Sequence, residues 1–359
     1  MKLKPKQAAK IASTPRKTAE AADLVYVYED QLTILRKRQG RGFTYFENAK
    51  KICDRKEINR FKSLVIPPAW VEVRICPFKN GHLQALGKDE KGRTQYRYHS
   101  LWNQIRSSTK FFRMLAFGEV LPAIRKQVKK DLKNKVMHKE KCIALVIRLM
   151  EETHIRIGNA YYAKRNSSYG LSTLRRKHVK HEASGLTFNF TGKKGIKQSV
   201  ALEDKKLQKL VIQCEEIPGW ELFQYYDEEG EHHSIDSGMV NSYIQRVSGG
   251  NFTAKDFRTW SASKIFLKTL LSFDKTDIQK EKEKNITEAC RISAQELGNT
   301  QSVCKNYYIH PALISKYNKG EITEESSHRK TIRKIKGLDD TENYLMDLIS
   351  NYVFDIVEE

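Results

Sequence analysis

Four short clusters in the sequence combine a strong cation or a phenol with glycine, asparagine or aromatic neighbours. Guanidinium and ammonium groups can neutralise a phosphate, and a phenol can attack one, so these residue types together permit phosphoryl transfer. In chain order the clusters are the segment from His154 to Val179 with Arg156, the tight turn GKKG with Lys193, the stretch KDFRTW with Arg258, and LGNTQSVCKNYYIHP with Asn299, Lys305, Tyr307 and Tyr308.

Each cluster also has an ordinary structural interpretation. An arginine beside a glycine turn is typical of a surface or ion-paired residue, and a lysine on a hairpin turn is usually solvated. A Tyr-Tyr pair often serves packing, and the chain contains 16 tyrosines. The residues alone therefore indicate a basic DNA-binding protein and leave phosphoryl transfer open.

The charge of the chain indicates the kind of partner. Lys and Arg number 65 against 43 Asp and Glu, a formal net charge of +22, while 39% hydrophobic and 10% aromatic residues are ordinary for a folded protein. A folded chain with this excess attracts nucleic acid by releasing counterions from the phosphates. A ribosomal or chromatin-type binder without catalysis explains the charge equally well.

Cysteine usage and hydropathy indicate the cellular compartment that we expect for the chain. The cysteines are scattered with no C-x-x-C pair, and they predict reduced thiols without a disulfide framework or a zinc site. We see no N-terminal signal pattern and no apolar run approaching ~18 residues. The chain is therefore expected to be cytoplasmic and nucleoid-associated, with no membrane partner and no metal or other cofactor. His232 and His233 beside acidic residues could suggest a metal site, but an exposed polar turn is favoured.

The elements that must position these residues change in type along the chain. Residues 1–24 carry six bases before the first acid and predict a basic flexible arm. Residues 25–99 predict a small β-rich DNA-binding domain. Its strands include Val71 to Ile75, followed by Leu83 to Leu86 and Thr94 to His99 on the two sides of a polar turn.

Residues 100–359 show helical spacing and predict a larger, mainly helical domain. One apolar face runs from Phe112 to Val128, and a second helix covers Lys139 to Glu152. Residues 186–200 alternate around the GKKG turn and predict a β-hairpin, after which helices resume near Leu207, Gly238, Ala254 and Asn285. The acidic end, with apolar residues from Tyr344 to Ile356, predicts a packing helix. The fold class is therefore α+β.

Taken in order, these motifs resemble the type IB DNA topoisomerases, particularly the compact poxvirus-like and bacterial form. The resemblance runs from about Leu64 to about Ala312. It is carried by PPAWxxVxI from Pro67, GKDxKGRxQYxYH from Gly87, RIGNxxYxxxNxSxGLxTL from Arg156, FxGKxG from Phe190, KDFRTW from Lys255, and LGNT with YIHP ending at Pro311.

The resemblance implies a role for each matched residue. Tyr308 matches the nucleophile and Tyr307 a non-catalytic position. Arg156 and Arg258 match the two catalytic arginines and Lys193 the hairpin lysine that acts as general acid. Asn299 stands where viral and eukaryotic members carry histidine, as in the bacterial pattern. The residues of the smaller domain that match DNA contacts in the major groove are Arg93, Gln95, Tyr96 and Tyr98.

The resemblance also implies the activity and the architecture. The expected enzyme is a monomer that closes around double-stranded DNA as a C-shaped clamp and relaxes supercoils through a 3′-phosphotyrosyl intermediate, without ATP or metal. A tyrosine recombinase shares this set of residues, but that family carries histidine three positions before its second arginine, where this chain has Lys255. Its N-terminal domain is also helical, whereas residues 25–99 predict strands.

Overall fold

The strands predicted near the N-terminus form one antiparallel sheet of six strands. The computed structural model describes residues 2–3, 14–183, 185–327 and 333–355. Within them the sheet has the order β4-β3-β2-β5-β6-β7. Its strands are β2 (Ile34–Gln39), β3 (Gly42–Glu47), β4 (Lys50–Lys51), β5 (Val71–Ile75), β6 (Leu83–Lys88) and β7 (Thr94–Tyr98).

Two helices accompany this sheet. Helix α2 (Arg55–Ser63) buries Phe61 against Tyr45, with ring centroids 4.8 Å apart. Helix α3 (Ser100–Phe112) buries Trp102. The contacts divide the chain into one unit of residues 1–113 with 353–359 and a second unit of residues 114–352. The observed division therefore falls after α3, fourteen residues beyond the predicted boundary after residue 99.

The predicted flexible arm is partly ordered. Residues 4–13 lie outside the described residues. Helix α1 (Pro15–Glu20), however, begins at Thr14, whose hydroxyl accepts a hydrogen bond from the Lys17 amide at 3.3 Å. Ala19 and Leu24 are buried in a cluster with Trp102. The prediction of a flexible arm was wrong for this stretch, because its apolar residues pack on α3.

The second unit is mainly helical, as predicted. Its short strands form a three-stranded sheet in the order β10-β9-β8 and a two-stranded hairpin, β11 with β12. The elements are α4 (Met114–Asp131), α5 (Lys139–Thr153), α6 (Ala160–Asn166), β8 (Val179–Glu182), β9 (Gly185–Thr191), β10 (Lys197–Leu202), α7 (Lys205–Glu216), β11 (Gln224–Tyr226), β12 (His232–Ser234), α8 (Ser237–Ser248), α9 (Ala254–Leu271), α10 (Gln279–Glu296), α11 (Gln301–Tyr307), α12 (Pro311–Asn318), α13 (Glu324–Ser327) and α14 (Asp340–Ser350).

Helix α5 forms the centre of this unit. Apart from Arg148, all its residues from Lys141 to Met150 are buried, which explains its apolar stripe. The aromatic ring of Phe117 on α4 packs edge-on against Phe257 and Trp260 of α9, with centroids 5.0 and 5.9 Å away. Phe112 belongs to α3 and not to α4, so the predicted continuous face from Phe112 to Val128 was wrong at its first residue. The chain breaks at Arg113, which caps α3.

A buried ion network joins α14 to two other helices. Glu342 of α14 is 1% exposed and accepts hydrogen bonds from Arg125 of α4 at 2.8 and 2.9 Å and from the Trp260 indole of α9 at 3.1 Å. Burial raises the pKa of the Glu342 carboxyl, but the hydrogen bonds and charge of Arg125 outweigh it and hold that pKa at about 2. The acidic C-terminal helix thereby anchors α9.

The end of the chain departs from the predicted helix. Helix α14 ends at Ser350, and Phe354–Asp355 is a strand, β13, paired antiparallel with β1 (Lys2–Leu3). The helical pattern predicted as far as Ile356 was wrong beyond Ser350, since residues 354–355 use their backbone groups in this pairing. Ile356 lies outside the described residues. No helix among the described parts of the chain is long and apolar enough to span a membrane.

Candidate active site

Arg156 lies just beyond the C-terminus of α5. The helix ends at His154, which takes a left-handed conformation with φ of 55°. The chain then runs beside residues 170–172, and the Arg156 carbonyl accepts a hydrogen bond from the Leu171 amide at 2.8 Å. A Cβ atom on Gly170 would approach that carbonyl to 2.4 Å, so this position requires glycine. Gly170, the last glycine of the RIGNxxYxxxNxSxGLxTL motif, therefore lets the chain pack directly against the Arg156 backbone.

Arg258 lies in the second turn of α9 and is buried. The helix begins with a reciprocal cap in which Asp256 accepts hydrogen bonds from the Thr253 amide at 2.7 Å and hydroxyl at 3.0 Å. The Arg258 guanidinium donates to the carbonyl of His154 and, at 2.8 Å, to that of Leu297. Burial lowers the pKa of Arg258, and repulsion from Arg156 lowers it further. A guanidinium nevertheless stays charged at neutral pH.

Asn299 lies in the loop after α10 and contacts Arg156. Its backbone amide donates to the Ala294 carbonyl at 2.9 Å, and its side-chain oxygen accepts a hydrogen bond from Arg156. The guanidinium of Arg156 also reaches the carbonyl of Gly298 at 3.5 Å. Arg156 after α5, Arg258 on α9 and Asn299 after α10 thus lie close together.

Two donors in this cluster have no acceptor among the described residues. They are the side-chain nitrogen Nδ2 of Asn299 and Nε of Arg258, both buried. Buried N–H groups are nearly always paired, and leaving one unpaired costs roughly 1 to 3 kcal/mol. Orphan donors beside two guanidiniums form a site ready to receive an anion such as a phosphate oxygen.

Tyr308 lies at the end of α11 and contacts α9 twice. The guanidinium carbon of Arg258 is 5.4 Å from the centroid of its ring. The buried hydroxyl of Ser263 donates to the Tyr308 carbonyl at 3.1 Å and accepts from the His310 amide at 3.0 Å. Tyr307, by contrast, is 51% exposed. The two tyrosines therefore differ in environment: Tyr308 lies beside Arg258, whereas Tyr307 is turned to solvent.

Lys193 lies at the exposed tip of the β9–β10 hairpin, as predicted. The turn requires left-handed backbone at Lys194, with φ of 64°, and at Gly195, with φ of 76°. The strand is held against the Arg156 segment because the Ser168 hydroxyl donates to the Gly192 carbonyl at 2.7 Å. Lys193 and Arg156 line the same small cavity, of about 90 Å³. The hairpin thus brings an ammonium to the rim of the arginine cluster.

The four residues expected to contact DNA lie on or beside β7, an edge strand in the described part of the sheet. Arg93 and Gln95 both donate to Asp89, at 2.8 and 3.0 Å. Hydrogen bonding from Arg93 lowers the pKa of Asp89 to about 2. Tyr96 donates to Glu29 at 2.9 Å, and its ring stacks on that of Tyr98 with centroids 5.9 Å apart. These residues form a polar and aromatic strip on the first unit.

Other expectations concern metals and thiols. His233 pairs with Asp227 on the exposed β11–β12 hairpin, as an ordinary polar turn would. No group of histidine, cysteine and acidic residues among the described residues has metal-binding geometry. The cysteines are free thiols, and all are buried except Cys53.

Two residues that contact the elements of the site have no signal in the sequence. Ser263 is a polar residue in an apolar helix, and nothing in its spacing marks it as a partner of Tyr308. Glu342 is one acid among several near the C-terminus, yet it alone carries the buried network to Arg125 and Trp260. Neither contact can be predicted from the sequence, because each one depends on how α9 packs against later parts of the chain.

Comparison with known proteins agrees with this geometry. The family model "Eukaryotic DNA topoisomerase I, catalytic core" matches residues 99–336, and "Bacterial DNA topoisomerase IB, N-terminal domain" matches residues 42–89. "DNA topoisomerase 1B" of Acanthamoeba polyphaga mimivirus is 32% identical over 336 residues, covering 91% of this chain and 97% of the relative. "DNA topoisomerase 1" of Rabbit fibroma virus (strain Kasza) is 26% identical over 314 residues, covering 83% and 92% respectively. "DNA topoisomerase 1B" of Vaccinia virus (strain Copenhagen) is 22% identical over 231 residues, covering 64% and 70%.

Proposed function

The chain belongs to the type IB DNA topoisomerases, and we propose that its Tyr308, Arg156, Lys193, Arg258 and Asn299 carry out the strand transfer. The observation that carries this assignment is the position of the buried Arg258 guanidinium, 5.4 Å from the Tyr308 ring and beside orphan donors. An attacking phenol, two guanidiniums of which one has an unpaired N–H group, and the unpaired amide nitrogen of Asn299 supply what an attack on a phosphodiester needs.

In the proposed reaction the Tyr308 oxygen forms a bond to the phosphorus, and the bond from phosphorus to the 5′ oxygen breaks. The phenol gives its proton to solvent, and Lys193 protonates the departing 5′ oxygen. The product is a 3′-phosphotyrosyl diester and a free 5′-hydroxyl. Since one diester replaces another, the reverse reaction reseals the strand without ATP.

The charge on the non-bridging oxygens grows as the phosphorus becomes pentacoordinate. Arg156 and Arg258 offer permanently charged donors, and Asn299 adds a neutral one through Nδ2. Because these groups are held by backbone carbonyls and by each other, they need little rearrangement when the charge develops. This is the role that other phosphoryl-transfer enzymes give to Mg²⁺.

The substrate in this proposal is double-stranded DNA held by a monomer. In it, the major groove is contacted by the strip of Arg93, Gln95, Tyr96 and Tyr98. The two units close around the duplex as a C-shaped clamp. The enzyme acts in the cytoplasm, associated with the nucleoid. The net charge of +22 supports this DNA partner. Limited proteolysis tests the clamp, because a bound duplex should protect the junction near Arg113 from cleavage.

A plasmid relaxation assay in EDTA and without ATP tests the function. Wild type should change the linking number permanently, whereas a chromatin-type binder would constrain supercoils only while bound. With end-labelled duplex, denaturing gels should show a protein–DNA adduct in wild type and in Tyr307→Phe but none in Tyr308→Phe. An adduct that persists in Tyr308→Phe would exclude this residue as the nucleophile.

A further inference from the structure

A cleft of about 1370 Å³ opens in the second unit, away from the proposed reaction centre. It is lined by α4, α5, α7, α9 and residues 337–342. Among its lining residues, Lys264 and Lys268 follow Arg258 on α9 by six and ten positions. At about 100° per residue they lie roughly 240° and 280° around the helix axis from Arg258. The cleft therefore faces another side of α9.

Most acidic residues of the cleft are paired with cations of the same lining. Glu151 and Glu342 pair with Arg125 at 2.9 and 2.8 Å, and Glu152 pairs with Arg148 at 3.0 Å. The remaining two acids are Asp339, which pairs with Lys264, and Asp204, which accepts two backbone amides as the N-cap of α7. Asp204 keeps its charge, but the lining holds eight lysines and arginines against five acids and is therefore net positive.

Five lysines at the cleft have no such partner. They are exposed, and none forms an ion pair with a described residue. Two come from α4 and the residues just after it, two from α7 and one from α9, so three separate parts of the lining contribute unpaired positive charge: Lys129, Lys133, Lys206, Lys209 and Lys268. Lysine side chains that repel one another in one cleft favour an anionic occupant.

The lining also contains apolar side chains among the charged ones. Half-buried side chains of Leu132, Leu210, Ile265 and Leu338 line the cleft, together with the buried Phe257. Small-molecule pockets usually measure about 300 to 1,000 Å³, so this cleft is large enough for a peptide segment. An occupant must combine acidic groups with an apolar face.

We propose that this cleft binds an acidic amphipathic helix of a partner protein. Such a helix places leucine-type side chains on one stripe and carboxylates on both flanks, which matches a lining that combines apolar side chains with exposed lysines. A DNA duplex presents phosphates but no apolar stripe, so it would leave the four half-buried aliphatic side chains unused. The partner also reaches His154, which lines both this cleft and the small cavity at Arg156.

The test uses a fluorescein-labelled helical peptide of about 18 residues, with leucines at i, i+3, i+4 and i+7 spacing and glutamates on the flanks. Fluorescence anisotropy is measured on the full chain saturated with a short duplex, which occupies the DNA-binding surface. We expect saturable binding that Lys206→Glu/Lys209→Glu weakens at least about tenfold. A peptide with glutamine in place of each leucine should bind about tenfold more weakly.

Lys280→Glu/Lys284→Glu on α10 is the matched control, because it makes the same change of charge outside the cleft at exposed positions. It should leave peptide binding unchanged. Equal losses in both double variants would overturn the proposal, since binding would then follow net charge alone. Displacement of the peptide by duplex, or an equally tight glutamine peptide, would also overturn it. A loss of duplex affinity specific to the cleft variant would identify DNA as the occupant and reject the proposal.

Discussion

The guanidinium of Arg156 donates a hydrogen bond to the side-chain oxygen of Asn299, 143 residues further along the chain. The bond fixes the orientation of the asparagine amide, because the oxygen accepts from Arg156 and Nδ2 is left buried with no acceptor in the described part of the chain. The arrangement therefore separates two possible roles for Asn299. It either holds Arg156 through its oxygen or donates to a phosphate through its nitrogen.

Two substitutions distinguish these roles. Asn299→Asp keeps the acceptor for Arg156 but replaces the donor with a negative charge, whereas Asn299→Ala removes both. If Asn299 donates to the phosphate, Asn299→Ala should slow single-turnover cleavage by ~10² to 10³-fold, as for a lost oxyanion donor, and Asn299→Asp should be slower still. Asn299→His restores a donor and should recover part of the rate. An Asn299→Asp enzyme faster than Asn299→Ala would mean that the residue acts by holding Arg156.

Lys193 can be separated from the arginines by changing the leaving group. When sulfur replaces the bridging 5′ oxygen, the departing thiolate has a conjugate acid of pKa roughly 8.5 and leaves without a proton. Lys193→Ala should cleave the ordinary diester ~10² to 10⁴-fold more slowly than wild type, yet cleave the sulfur substrate almost as fast. Arg258→Ala should be slow on both. Equal defects of Lys193→Ala on the two substrates would show that this lysine is not the acid.

Ser263 should affect the position of the nucleophile and not the binding of DNA. Its hydroxyl bridges the Tyr308 carbonyl and the His310 amide, so Ser263→Ala releases the backbone that directly follows the reacting phenol. We expect a ~10 to 10²-fold lower single-turnover rate constant at full amplitude, since small misplacements of a reacting group are costly. Ser293→Ala is the control, because within the described residues its buried hydroxyl bonds the Ala289 carbonyl of its own helix and no other group. A reduced amplitude at an unchanged rate constant would indicate partial misfolding and contradict the positioning role.

Stability should fall as the solution is made mildly acidic. The ordinary pKa of histidine is 6.5, and burial lowers the pKa of His310 to about 3. Burial, together with nearby cations, lowers the pKa of His154 and of His178 to about 4. Between pH ~6.5 and ~4 the unfolded chain therefore binds protons that the folded chain does not. Each histidine should cost about 1.4 kcal/mol of unfolding free energy per pH unit in that window.

Urea unfolding of wild type and His310→Asn at pH values from about 7 to 5 measures this effect. Asparagine keeps an acceptor for the Ala312 amide, which His310 now caps at 3.1 Å, but it does not titrate. Unfolding of the variant should take up about one proton fewer than unfolding of wild type. The slope of unfolding free energy against pH should therefore drop by about 1.4 kcal/mol per pH unit. Because the pKa of Glu342 is about 2, its own contribution is lost only below pH ~4.5 and does not interfere. Identical slopes would show that His310 is not excluded from protonation in the folded state.

Much of the fold follows from local patterns. The β9–β10 hairpin was predicted because Gly195 tolerates a positive φ and the flanking residues alternate, and both signals lie within a dozen residues. Helix α5 was predicted within one residue because its apolar period spans its whole length. The errors fall where a distant contact overrides the local pattern. Residues after Ser350 follow a helical period, but Phe354–Asp355 pairs with Lys2–Leu3 at the other end of the chain.

The sequence by itself determined which side chains are chemically competent and in which order they occur. Turn chemistry and helical periodicity predicted the elements, and the family resemblance carried by the ordered motifs named Lys193, Arg258 and Tyr308 as candidates. Only the tertiary structure decided which atoms meet. The carbonyls of His154 and Leu297 hold Arg258, Ser263 holds Tyr308, and five lysines line a cleft on another side of α9. Such contacts depend on how distant helices pack to bury their apolar faces, and that packing is a property of the whole chain.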